Sequence, residues 1–203
     1  IDFSRFKKTN KDHFKKAIAP NGEKILVHTS NFRKVKRVED VIQIFCIVSK
    51  EIPSKLLMIG DGPERQNAEV LARSLCTHMD VRFLGKQEAV EELLAIADVF
   101  LMPSETESFG LAALEAMACE VPVVSSNAGG IPEVNIEGET GFLLDVGDVA
   151  GMAKRTLELL QDEDKLAQFK KNAFAQAQKF DISSILPQYE AFYEKVKNSG
   201  KCK

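Results

Sequence analysis

What this sequence lacks narrows its chemistry first. It has no large excess of charge of one sign: 27 Lys and Arg stand against 30 Asp and Glu, for a net charge of -3. A surface built mainly for nucleic acid or anionic lipid needs a strong positive excess, so neither is the expected partner. No apolar run is long enough to cross a bilayer, and no stretch has the layout of a signal peptide. The four cysteines, Cys46, Cys76, Cys119 and Cys202, form no CxxC pair. Cys46 and Cys119 sit in apolar helical patterns, and free thiols in a reducing, cytoplasmic setting are expected. No His, Cys and carboxylate spacing fits a metal site, and no Ser or Cys occupies a nucleophile motif. Repeats and low-complexity segments are lacking too. The first residue is Ile1 rather than Met, and a longer protein is expected around this stretch.

What is present is a regular alternation. Hydrophobic residues make up 44% of the chain, enough for a sizeable core. Short apolar runs at Lys24–Ser30, Lys55–Gly60, Val81–Leu84, Asp98–Met102, Val121–Ser125 and Gly141–Leu144 read as strands. Between them lie helical patterns at Glu39–Lys50, after Pro63, at Glu88–Ala97 and at Phe109–Cys119. Strands joined by helices run parallel. Continuous rather than alternating apolar strands are covered on both faces. The expected fold is therefore α/β, a doubly wound parallel Rossmann-like sheet. After Asp145 the pattern changes to three helical stretches, the last around Ser184–Val196, and the tail Lys197–Lys203 is expected to fray. The expected partition is 1–182 for the sheet domain and 183–203 for a terminal helix and tail.

Ligands of such sheets bind beyond the carboxyl ends of the strands, at the switch point. Two segments there carry chemistry. In Pro103–Cys119 a loop with Ser104, Thr106 and Ser108 runs into a helix near Phe109, and Gly110 lets backbone approach a ligand. Phosphate is the natural guest of the free amides at such a helix start. Glu107 and Glu115 stand eight residues apart, at most about 12 Å along a helix. They could hold the two ends of an extended sugar nucleotide; two acids on one helix are also common surface features, and spacing alone leaves that open. The second segment, Thr29–Arg37, places Arg33, Lys34, Lys36 and Arg37 in one loop, with Lys36 suited as a point charge on a phosphate. A solvated basic loop is the other reading. The Gly60–Pro63 and Gly129–Glu133 turns are explicable by structure alone. His28 lies within a strand and reads as a core or supporting residue rather than a catalyst.

Glu107–Gly110 followed by Leu114–Ala118 resembles the signature of the retaining glycosyltransferase family 4, two glutamates with seven residues between them. Gly60–Pro63, Phe83–Gly85, Ala97–Asp98 and Gly129–Glu133 fit the same pattern, so the resemblance covers roughly residues 24–160. It implies the C-terminal, donor-binding half of a two-domain GT-B enzyme, with the acceptor-binding half absent and this half inactive alone. The stretch His28–Phe45 is similar to members of the family that join GlcNAc from UDP-GlcNAc to L-malate at the start of bacillithiol biosynthesis. The resemblance implies roles. Lys36 would bind the diphosphate and stabilise the leaving UDP, with the amides of Phe109, Gly110 and Leu111 sharing that charge. Glu107 would hold sugar hydroxyls, Glu115 the ribose, and main chain from Gly85 to Gln87 the uracil. Lys36 and Glu107 are thus the expected catalytic pair. Retention is expected by a front-face route, with neither glutamate a nucleophile or base. No metal or other cofactor is expected, and a homo-oligomer through the last helix is one outcome for an uncovered apolar face.

Two positions depart from the family. Asn31 stands five residues before Lys36, where an Arg is usual, which leaves Arg33 as the second source of phosphate charge. Glu120 follows Met-Ala-Cys where most relatives carry Gly; a left-handed backbone there would cost Glu about 1 kcal/mol. Three other readings remain open: a family 4 transferase with a different donor sugar or acceptor, a nucleotide-binding module without transferase chemistry, and a sugar-nucleotide epimerase on the same plan.

Overall fold

The computed structural model describes residues 1–8, 12–75 and 80–198. Cys76, Cys202 and residues 199–203 of the expected tail lie outside them. The elements are α1 (Asp12–Ile18), β1 (Lys24–Ser30), a single 3-10 turn at Lys34–Lys36, α2 (Val38–Glu51), β2 (Ser54–Gly60), α3 (Arg65–Leu75), β3 (Asp80–Gly85), α4 (Val90–Leu94) and β4 (Val99–Met102). They continue with α5 (Leu111–Ala118), β5 (Val123–Ser126), α6 (Ile131–Val134), β6 (Gly141–Leu144), α7 (Val149–Gln161), α8 (Glu163–Gln178) and α9 (Ile182–Asn198).

The six strands are all parallel, in the order β3-β2-β1-β4-β5-β6. The chain builds outward from β1 through β2 to β3, then returns to the other side of β1 for β4. That reversal makes the carboxyl ends of β1 and β4 the switch point. Successive strand residues enter opposite layers. Ile25, Val27, Leu57, Ile59, Phe100 and Met102 pack on one face with α5. Leu26, Leu56, Met58, Val99 and Leu101 pack on the other with α2 and α7. Both faces are buried, which is why the strands read as unbroken apolar runs.

Opposite the switch point, at the amino ends of β1 and β4, a charge is buried. Asp98 is 3% exposed and accepts from Lys15 Nζ at 2.8 Å, Lys170 Nζ at 3.1 Å and the Ile25 amide at 2.9 Å. One carboxylate thus ties α1, β1 and α8 together. Burial alone would raise its pKa; the Lys170 and Lys15 charges and these hydrogen bonds outweigh it and leave the carboxyl below its ordinary value.

Glu120 has φ +60°, in the left-handed region. Its N–H donates to Met117 O at 3.0 Å, and the next amide, Val121, reaches back to Ala116 O at 3.0 Å. This is the Schellman ending, whose left-handed position favours Gly. The Lys8–Glu120 ion pair, 3.8 Å between exposed side chains, offsets little. Glu120→Gly is therefore expected to stabilise the domain by about 1 kcal/mol, roughly a 3 °C rise in Tm for a chain of this size. Thermal melts of the two proteins check it; an unchanged or lower Tm would show that the left-handed strain is already relieved.

Cys46, on α2, is disulfide-bonded, which corrects the free thiol expected from the sequence. That expectation came from the compartment and from the lack of CxxC spacing; the spacing says nothing about pairing through space, while a reducing compartment does disfavour a disulfide. Cys119 is free and buried, its thiol pushed up to about 12 by burial, with Glu91 and Glu115 adding to the rise.

Candidate functional site

Two loops meet at the switch point. After β1 the chain passes through Asn31 and Phe32 into the 3-10 turn, and Arg37 then opens α2 with φ +49°. After β4 it passes Pro103 to Gly110 and enters α5 through Gly110, whose φ of +92° no side chain would adopt easily. The Glu105 amide donates to Val35 O at 2.8 Å, joining the loops directly.

Glycine turns hold each loop from outside. A Cβ at Gly62 would lie 2.0 Å from Asn31 O, and one at Gly129 would lie 1.8 Å from Glu107 O. The Gly130 amide donates to Glu107 O at 3.0 Å, and the Glu64 amide to Phe32 O at 2.9 Å. The two turns that sequence alone left as ordinary loops therefore carry the backbone of the site.

Where the loops face each other, Lys36 Nζ donates to Glu107 Oε1, and the two side chains are 21% and 14% exposed. The Ser104 hydroxyl donates to the same oxygen at 3.0 Å. The structure thus brings together the two residues singled out as the catalytic pair. Lys36 alone among the four nearby cations turns to Glu107. Arg33 and Lys34 are exposed, and Arg37 Nε donates to Asp40 Oδ2 at 2.7 Å, away from the site. Asn31 is exposed at the rim.

The remaining candidates sit around this pair. α5 begins at Leu111, so only about 6 Å of helix rise separates its start from Glu115. Burial raises the Glu115 carboxyl above its ordinary value, Arg5 pulls it down, and Glu91 adds to the rise. Arg5 itself donates to Glu91 Oε2 at 3.0 Å; this pair beside Glu115 was not singled out from the sequence, because Arg5 lies 110 residues away along the chain. Gly85 ends β3 and Gln87 follows it, two strands from β1 and so about 10 Å across the sheet from the switch point. The Gln87 side chain is folded back onto Leu84 O at 2.6 Å. Phe109 packs edge-on against Phe180, with ring centres 5.7 Å apart. Its ring, Leu111 and α9 residues line an apolar hollow of about 560 Å³, beside the Lys36–Glu107 pair rather than at it.

Residues 9–176 match the family described as glycosyl transferases group 1. The chain belongs to that family. The group 1 chain is similar to the N-acetyl-alpha-D-glucosaminyl L-malate synthase of Bacillus anthracis, 47% identical over 180 residues that make up 88% of this chain and 47% of that protein. It is also similar to the sulfoquinovosyl transferase of Arabidopsis thaliana, 37% identical over 71% of this chain and 29% of that protein. Among solved structures, Anabaena HepE in complex with UDP-glucose superposes with a TM-score of 0.87 at 25% identity, covering 96% of this chain and 56% of that one. The C-terminal domain of the group 1 protein LpcC from Francisella tularensis superposes with a TM-score of 0.79 at 19% identity, over 90% of this chain and 99% of that one, which bears on fold alone. The group 1 chain spans about half or less of the length of the curated relatives it matches. It is a glycosyltransferase domain of the GT-B, Rossmann-like kind. Among the described residues, no helix is long and apolar enough to cross a membrane.

Proposed function

We propose that this domain binds the nucleotide-sugar donor of a retaining family 4 glycosyltransferase, with UDP-GlcNAc as donor and L-malate as acceptor in bacillithiol biosynthesis. The observation that carries the reading is the Lys36–Glu107 pair, held between the ends of β1 and β4 beside the start of α5. A diphosphate entering there meets one cation and the free amides of a helix start. Lys36 then leaves Glu107 for the phosphate, and the released carboxylate accepts from donor-sugar hydroxyls. Glu115 takes the ribose hydroxyls, and main chain from Gly85 to Gln87 reads the uracil edge. Asn31 and Arg33 border the phosphates, and the Phe109–Leu111 amides face them. The GlcNAc and malate assignment rests on the 47% identity to the Bacillus anthracis protein, and the preference for a UDP-sugar also on the complex of HepE with UDP-glucose. In this reading residues 1–182 form the donor domain. Residues 183–203 belong to a segment that covers the other half of the enzyme, and the working compartment is the cytoplasm.

No divalent metal is needed in this scheme, because Lys36 and backbone amides meet the diphosphate charge. Calorimetry of the 203-residue chain is expected to give UDP binding that excess chelator leaves unchanged and no sugar transfer to malate. Binding that vanishes with chelator and returns with magnesium or manganese would overturn the metal-free scheme. Joined to an acceptor-binding half, the domain is expected to release UDP from UDP-GlcNAc when L-malate is supplied. Release only with another sugar nucleotide or acceptor would keep the transferase reading and replace the substrates.

A further inference from the structure

His28 is fully buried, near enough to the pair for the charges of Lys36 and Glu107 to act on it. Its Nδ1 lies 2.8 Å from Leu101 O, and its Nε2 lies 2.8 Å from Ser30 Oγ. The ring stands between Phe100, 6.4 Å between centres and nearly parallel, and Phe32 at 6.1 Å. A carbonyl oxygen only accepts, so Nδ1 carries the proton and Nε2 offers its lone pair to the Ser30 hydroxyl. Ser30 Oγ in turn accepts from the Phe32 amide at 3.2 Å. Every direction in this chain is fixed as long as the imidazole is neutral. Burial holds it so, lowering its pKa to about 4; the Leu101 carbonyl and Glu107 oppose that shift, and Lys36 adds to it.

The two ends of the chain of bonds lie on the two arms of the site. Leu101 is in β4, six residues before Glu107, and Ser30 ends β1, six residues before Lys36. Phe32 is the point of strain: it is fully buried and held at φ +39°, where a bulky residue persists only if its surroundings over-determine it. The Ser30 bond to its amide is one of those determinants.

We propose that His28 is a positioning residue of the proposed diphosphate site, bridging β4 to the left-handed turn after β1 so that the loops carrying Lys36 and Glu107 are held at one spacing. This rests on the function proposed above, and its test separates the two. His28→Leu fills similar volume without either bond; Ser30→Ala removes the hydroxyl and leaves the ring, and keeps the test open should the first variant not fold. The first readout needs no ligand: hydrogen exchange of the Glu105 amide, which joins the loops. It is expected to speed up at least 10-fold in either variant while amides in the middle of β2 and β5 keep their protection. Uniform acceleration, or none, would overturn the positioning role. The second readout is UDP affinity by calorimetry, expected to fall about 10-fold in His28→Leu and less than 2-fold when Lys36 is already Ala. An equal loss in both backgrounds would mean His28 does not act through Lys36. Local loosening at Glu105 in a chain that binds no UDP would uphold the bridge and sink the donor-site reading instead.

Discussion

Lys36→Ala is expected to weaken UDP binding by about 100-fold, more than any other single change at the site. A charge-assisted hydrogen bond contributes about 1.5–3 kcal/mol, which is roughly 10- to 100-fold in affinity. The upper end applies here because the substitution also strands Glu107. That carboxylate is 14% exposed and accepts from Lys36 and Ser104. Without Lys36 it stays as an anion in front of an incoming diphosphate. Adding Glu107→Gln to Lys36→Ala is accordingly expected to restore about 10-fold of the loss, since like-charge repulsion goes with the carboxylate. Glu107→Gln alone is expected to leave UDP affinity within about 3-fold, because Lys36 is released, while turnover of the sugar nucleotide falls in an enzyme with both halves. Glu115→Gln should weaken UDP itself. Calorimetry on the four proteins reads these effects; a double variant that binds no better than Lys36→Ala would mean Glu107 does not face the phosphates.

The second large effect is on stability. Asp98→Asn is expected to destabilise the domain by about 3–5 kcal/mol, the usual result of removing one partner from a buried ion pair. Lys170, 18% exposed, loses its counter-ion, and burial already depresses its pKa even with Asp98 present. For a chain this long the loss corresponds to roughly 10 °C in Tm. The pH dependence has a definite sign. The folded pKa of Asp98 lies below its unfolded value of 3.8. Its stabilisation is therefore complete above that value and lost as pH falls through the folded one. Urea melts of the two proteins should differ most near pH 7 and converge in acid below pH 4; a gap that stays constant into acid would assign the loss to packing rather than charge.

The sheet was legible because burial on both faces leaves unbroken apolar runs: β1 and β6 have the bounds their residues suggest. Errors fall where tertiary contacts decide. Val121 was read as the first residue of a strand, yet its amide closes the end of α5 by reaching Ala116 O, and β5 starts at Val123. Phe109 was read into a helix that the left-handed Gly110 delays until Leu111. α1 was not foreseen at all: it has seven residues and buries only Ile18, too little for a periodic signal. At the site, the approach of the loops after β1 and β4 was legible because the switch-point rule brings the ends of these strands together, whereas the direct Lys36–Glu107 ion pair was not foreseen. The His28 bridge was not, since its partner Leu101 lies in a strand 73 residues away. Of the four basic residues after β1, Lys36 was already set apart as a point charge for a phosphate; that Arg37 turns to Asp40 rather than to the site was not legible.

The Ile1 nitrogen donates to Phe180 O at 2.6 Å, and the Ile182 amide donates to Ile1 O at 2.9 Å. Residue 1 and residues 180–182 thus lie side by side, so the chain leaves the sheet body for α9 next to Ile1. A loop of a few residues running from 181 to 1 would close this sheet body, and the closed body could then be opened at the exposed Asn21–Gly22 turn, where nothing lies within 4 Å of a Cβ on Gly22. In such a circular permutant β1 becomes the first element and α1 the last, while every strand keeps its neighbours. The order of elements along the chain is then a matter of where the closed body is cut, and the binding surface at its centre is independent of that choice.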